Sequence, residues 1–238
     1  AAARLSLGVQ KSGRVALIRP NCPQLLVAQF GAWEAGAVAA PLNPLYTERE
    51  LEYALNTIGA EVAVVLTSYY QKVKTIQSHT SLRRVIATNI KEHLPPHLRI
   101  LFTLAKERKE GHRITLQPGD LWLKDLLVAN SHSPRPNIPV VGDDPALLLF
   151  TGGTTGTPKA AVGAHKALLM AGLQIQAWMR TVLVPWDDVV LCNMPLFHVY
   201  AQGGVLTVGI VGHQPLVMIP NPRDLDDMLA TIRKVKPA

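Results

Sequence analysis

Thr151-Gly152-Gly153-Thr154-Thr155-Gly156-Thr157-Pro158-Lys159 is the stretch around which the chain is organised. It holds three Gly, four Thr and one Lys, and no acid. Gly tolerates positive φ and lets a ligand approach the backbone, so neighbouring N–H groups can turn toward one anion. Thr hydroxyls add donors and Lys159 adds a mobile positive charge, a combination suited to a polyphosphate. Ala146-Leu147-Leu148-Leu149-Phe150 before it reads as a buried strand, and Ala160-Ala161-Val162-Gly163-Ala164 after it as a second. A Walker loop needs G-x-x-x-x-G-K-[ST] leading into a helix. Here Pro158 has no N–H to give, and a strand follows Lys159. The stretch is therefore expected to be a strand–loop–strand phosphate grip. A ligand-free Gly/Thr hairpin turn is the plainer alternative, and the acid-free, donor-rich composition weighs against it.

Working outward, strands and helices alternate with short connections. Arg14-Val15-Ala16-Leu17-Ile18 reads as a strand. Asn21 or Cys22 is expected to cap a helix with Pro23 in its first turn, buried through Leu26, Val27, Phe30 and Trp33 and ended by Gly36. Thr47 with Glu50 forms a capping box for a helix that buries Leu51, Ala54, Leu55 and Ile58 and stops at Gly59. Further strands are expected at 61–66 and 85–87, with a weaker helix between them. This alternation implies an α/β fold of layered, mostly parallel sheets covered by helices. Three regions are expected: a first α/β unit over 1–90, an irregular excursion over 91–141, and a second α/β unit over 142–238 carrying the phosphate loop.

The 238 residues are 48% apolar and 17% charged, enough for a sizeable core and against a disordered chain. No uninterrupted apolar run reaches the roughly 18 residues of a membrane span. Cys22 and Cys192 lack zinc or redox spacing and read as ordinary thiols of a cytoplasmic protein. The formal charge of +7 suits anionic ligands. Without a basic run interleaved with aromatics, nucleic acid is not expected. No Gly-x-Ser-x-Gly elbow is present, which argues against a serine hydrolase. His79, His93, His97, His112 and His132 fall in polar segments and are expected to be solvated. Asp143-Asp144 and Asp187-Asp188 read as turn or helix-end acids and not as a catalytic dyad.

Taken together, the motifs resemble the AMP-forming acyl-adenylate superfamily. Phe150 to Lys159 looks like its signature, an aromatic followed by T-S-G-T-T-G-x-P-K-G, with Gly152 in place of Ser and Ala160 in place of the last Gly. Met194-Pro195-Leu196-Phe197-His198 resembles its P-[LM]-[FY]-H motif. Asn43 to Glu52 and Asn221 to Asp224 are similar to stretches of bacterial long-chain fatty acid–CoA ligases. The resemblance implies ATP, Mg²⁺ and coenzyme A as cofactor and co-substrates and a fatty acid as substrate. It implies that Thr151, Gly152, Gly153, Thr154, Thr155, Gly156, Thr157 and Lys159 hold the phosphates, and that Thr151 is a Mg²⁺ ligand. It also implies that His198 lies near the acyl carboxylate; a turn histidine satisfied by backbone is the alternative. The lack of an initiator Met and of the family's downstream motifs is expected to mark an N-terminal fragment, inactive alone. The open alternatives are a non-catalytic nucleotide- or partner-binding domain, or a ligase for another acid. Peripheral contact with the inner membrane surface and homo-oligomerisation also stand as expectations.

Overall fold

The computed structural model of the protein describes residues 8–152 and 157–237. The chain divides into two compact units: Ala1–Arg19 with Pro23–Val140, and Pro20–Cys22 with Val141–Ala238. The architecture is α/β, with a mostly parallel sheet flanked by helices.

In the first unit, strands β1 (Arg14–Ile18), β2 (Val38–Leu42), β3 (Val62–Leu66), β4 (Arg84–Thr88) and β5 (Leu121–Trp122) lie in the order β5-β4-β3-β1-β2. Every pair is parallel. β2 and β3 are buried along their whole length, as expected of parallel strands covered on both faces. Helices α1 (Pro23–Glu34), α2 (Glu48–Ile58) and α3 (Thr67–Ile76) follow β1, β2 and β3. The α2 capping box forms as read: Thr47 N donates to Glu50 Oε2 at 2.8 Å, and Glu50 N to Thr47 Oγ1 at 3.3 Å. Gly59 closes α2 in the left-handed region at φ 60°. The buried face of α1 differs from the expected one. Leu25, Ala28, Gln29 and Ala32 face inward, while Val27 and Phe30 are exposed. Because α1 is apolar nearly all round, its period does not select a face, and small Ala28 and Ala32 allow close approach to neighbouring elements.

The 91–141 stretch holds more regular structure than expected. It carries helix α4 (Pro96–Ala105), strand β5 and helix α5 (Leu123–Ala129). Polar side chains of α3 and of the segment just after β4 fasten this stretch. Asn89, 4% exposed, donates from Nδ2 to Glu107 Oε1 at 3.0 Å and to the His112 carbonyl at 3.2 Å. Lys91 Nζ pairs with Glu107 at 2.6 Å. Tyr70 Oη donates to Asp120 Oδ2 at 2.5 Å, and burial followed by that bond pushes the Tyr70 phenol up to about 12. Lys74 pairs with Asp120 at 2.9 Å.

His112 corrects the reading of solvated histidines. It is only 6% exposed, with Nδ1 2.7 Å from Thr67 Oγ1 and its ring edge-on to Phe102. Its polar sequence neighbours hide contacts 45 residues away in the chain. Burial lowers its pKa, partly opposed by the charges of Glu110 and Glu107. The folded state thus disfavours the protonated ring, and the unfolded chain binds the proton more tightly. The stability this contributes is present above the unfolded value of about 6.5 and is lost as pH falls toward the folded value. Thermal midpoints measured from pH 8 to pH 5 should therefore fall more steeply for the wild type than for His112→Gln. Parallel curves would contradict a buried neutral His112.

In the second unit, β6 (Pro145–Phe150) and β7 (Ala160–Ala164) form an antiparallel pair. Helix α6 (His165–Met179) follows, then β8 (Val190–Cys192), a π-helical segment (Ala201–Leu206), α7 (Thr207–Val211), β9 (Leu216–Met218) and α8 (Leu225–Val235). β8 and β9 pair in parallel. Asp144 Oδ2 accepts from Val141 N at 2.9 Å and Asp188 Oδ2 from Val184 N at 2.6 Å, so both are turn acids as read.

Candidate functional site

The hairpin has the expected strand–loop–strand form. Phe150 pairs with Ala160 and Leu148 with Val162. One step beyond, Thr151 N donates to the Lys159 carbonyl at 3.0 Å, and Thr151 Oγ1 to the same oxygen at 3.4 Å. Thr151 and Lys159 are thereby brought together at the mouth of the loop, both exposed. Thr157 is also exposed. Gly153, Thr154, Thr155 and Gly156 lie outside the described residues. A Cβ built on Gly152 meets none of the described atoms within 4 Å. The described neighbours therefore leave room for a side chain at that position. Gly152→Ser should shift unfolding free energy by no more than about 0.5 kcal/mol, the range of a featureless surface change. A large loss in a urea titration would show that the fold itself needs Gly152.

The second feature is the turn that carries His198. After β8 the chain makes a turn over Pro195–His198, in which His198 N donates to the Pro195 carbonyl at 3.0 Å. Gln202, fully buried, donates from Nε2 to the Leu196 carbonyl at 2.6 Å. Its own N–H reaches the His198 carbonyl at 3.2 Å. The His198 ring is exposed and lies 4.7 Å from the Phe197 ring. Ala201–Leu206 is a π-helical segment, and Thr207–Val211 is α-helix. Gly203-Gly204 lowers helix propensity there, and π segments often adjoin functional sites.

Asn21 is one of the two residues expected to cap α1, and it has another role. Its side chain does not serve as a helix cap. Nδ2 donates to the Cys192 carbonyl at 3.1 Å and the Met194 carbonyl at 2.8 Å, while Oδ1 accepts from Leu196 N at 2.9 Å. One buried amide thus fixes both sides of Pro195 and sets the start of the His198 turn. Pro20-Asn21 before Pro23 looks like a capping signal, and nothing local marks a partner more than 170 residues away.

Among the described residues, no group of three or more His, Cys, Asp or Glu side chains could hold a metal. A hydroxyl such as that of Thr151, with phosphate oxygens and water, fits the oxygen preference of Mg²⁺.

The sequence model of one family, described as AMP-binding enzyme, matches residues 1–238. The chain belongs to this family. It is 31% identical over 232 residues to a long-chain-fatty-acid–CoA ligase of Salmonella typhimurium, covering 96% of this chain and 41% of that protein. A Bacillus subtilis ligase of the same description is also 31% identical over 232 residues, covering 97% and 41%. The chain therefore spans about two fifths of the length of these relatives. A crystal structure of a long-chain-fatty-acid-CoA ligase from Archaeoglobus fulgidus shares the fold, with TM-score 0.77, 24% identity, and 99% and 40% coverage.

Proposed function

We propose that the chain is the phosphate-holding part of an ATP-dependent acid–CoA ligase whose acid is a long-chain fatty carboxylate. A carboxylate oxygen attacks the α-phosphorus of ATP, the bond to the β-phosphate oxygen breaks, and acyl-AMP and pyrophosphate form. The thiol of coenzyme A then displaces AMP, giving the thioester. Carboxylate and triphosphate repel one another, so the first step needs charge cancellation and positioning more than acid–base chemistry.

The reading rests on the family match over residues 1–238 joined to an acid-free hairpin closed at Thr151 and Lys159. In it, Lys159, the backbone N–H groups of Gly152, Gly153 and Gly156, and the hydroxyls of Thr154, Thr155 and Thr157 hold the β- and γ-phosphates. Thr151 offers an oxygen to Mg²⁺, which when bound supplies further positive charge. His198 orients the acyl carboxylate from its exposed ring. The buried Cys22 and Cys192 suit a cytoplasmic setting, because neither is in a disulfide.

Pyrophosphate exchange into ATP by the full-length protein that contains this chain, driven in turn by oleate, octanoate and 4-coumarate, tests the assignment. Oleate should drive the fastest exchange. No exchange with any acid would overturn the ligase reading. Faster exchange with 4-coumarate or octanoate would overturn the chain-length reading alone.

A further inference from the structure

The turn that carries His198 is held from inside. Leu196 and Gln202 are both 0% exposed, so their polar groups must find partners within the protein. Both polar groups of the Leu196 main chain are taken by buried amides. Asn21 Oδ1 accepts from its N–H at 2.9 Å, and Gln202 Nε2 donates to its carbonyl at 2.6 Å. Gln202 holds the next link as well, since its own N–H donates to the His198 carbonyl at 3.2 Å. With His198 N bonded to the Pro195 carbonyl, the main chain of His198 is fixed on both sides while its imidazole stays exposed.

The two bonds from Gln202 differ in kind. The backbone bond is a helical one that any residue except Pro would make. The side-chain bond reaches six residues back across the turn and needs a donor at the end of a side chain of that length. Met has similar length and no donor, and Asn is one methylene shorter. A histidine held only by the backbone of its turn would need the Pro195 bond alone. Here a second, buried layer supports the turn, and Gln202 supplies it from the π-helical segment. The Phe197 ring, 4.7 Å away, stands beside the imidazole. A ring on a fixed base with a neighbour at its side presents its nitrogens in a narrow range of directions.

We propose that Gln202 is a positioning residue whose buried amide fixes the direction in which the His198 imidazole points. That this direction meets the acyl carboxylate rests on the ligase reading; the positioning of the ring does not. A carboxylate attacking phosphorus must arrive in line, and a misplacement of about 1 Å can cost up to about 10²-fold in rate.

The test uses the full-length protein that contains this chain, isotope-labelled in its histidine rings, as wild type, Gln202→Met, His198→Ala and the double variant. The His198 ring signal, identified by its loss in His198→Ala, should shift and broaden in Gln202→Met, while the signal of buried His112 stays in place. In single-turnover formation of oleoyl-AMP, Gln202→Met should raise the half-saturating oleate concentration by roughly tenfold and leave that for ATP unchanged. In the His198→Ala background Gln202→Met should slow the reaction no further, because the group it positions is gone. Gln202→Asn, which keeps an amide one methylene short of the Leu196 carbonyl, replaces Gln202→Met if that variant loses its circular dichroism spectrum. An unmoved His198 signal would overturn the proposal, and so would an equal effect of Gln202→Met with and without His198. A full rate in His198→Ala would remove His198 from the carboxylate, and a displaced ring signal in Gln202→Met would then still support the positioning.

Discussion

Asn21→Leu should destabilise the second unit by about 2–4 kcal/mol, because a buried polar group left without its partner costs roughly 1–3 kcal/mol. One such group is created outright, the buried Leu196 N–H, while the part-buried Met194 carbonyl is left with only the weak Cys192 thiol at 3.9 Å. The Cys192 carbonyl keeps a bond from Ile219 N at 3.0 Å and is spared. Leu is similar in volume, so the loss is one of hydrogen bonding more than of a cavity. The comparison is Asn21→Asp, whose carboxylate can still accept from Leu196 N but repels the two carbonyls. Urea denaturation followed by tryptophan fluorescence should rank wild type above both variants. A loss below about 1 kcal/mol for Asn21→Leu, the net worth of one ordinary hydrogen bond, would mean that the clamp is dispensable.

In the full-length protein of the proposed ligase, Lys159→Ala should lower the rate of acyl-AMP formation by about 10²–10³-fold, the range for removing one preorganised charge or donor from a developing anion. Its stability should barely change. The Lys159 side chain is exposed, and the residue's contact with Thr151 runs through the backbone carbonyl, which Ala retains. Lys159→Arg keeps the charge but not the compact ammonium, and should recover part of the rate. Single-turnover formation of oleoyl-AMP, read beside the thermal midpoint, separates the roles. A full rate in Lys159→Ala would remove Lys159 from the phosphate grip. A fall in midpoint matching the fall in rate would make it a structural residue.

What was legible in the sequence was local. The hairpin shows as two apolar runs flanking a Gly/Thr loop, and Thr47 with Glu50 announces the start of α2 because a capping box lies within four residues. The buried strands show because β2 and β3 are apolar throughout. What was not legible depends on distant partners or on helices without a clear period. α1 offers apolar residues on every side, so only packing decides that Ala28 and Ala32 face inward. α4 escaped notice because its apolar stripe sits among Lys, Arg and His, a composition that reads as loop. His112 looks solvated until Thr67 and Asn89 are placed beside it. The Asn21 amide mimics a cap and instead binds the turn before His198. In the candidate site, the residue types of the phosphate loop were readable from composition. The clamp that holds the His198 turn was not.

The central claim is that the Thr151–Lys159 hairpin is built to hold phosphate, and calorimetric titration with Mg²⁺-ATP and with adenosine tests it most directly. The account predicts that ATP binds far more tightly than adenosine, and that Lys159→Ala weakens ATP by about 10- to 100-fold, as expected for a lost charge-assisted contact, while leaving adenosine unchanged. Equal affinities for ATP and adenosine, or an ATP affinity indifferent to Lys159→Ala, would contradict it.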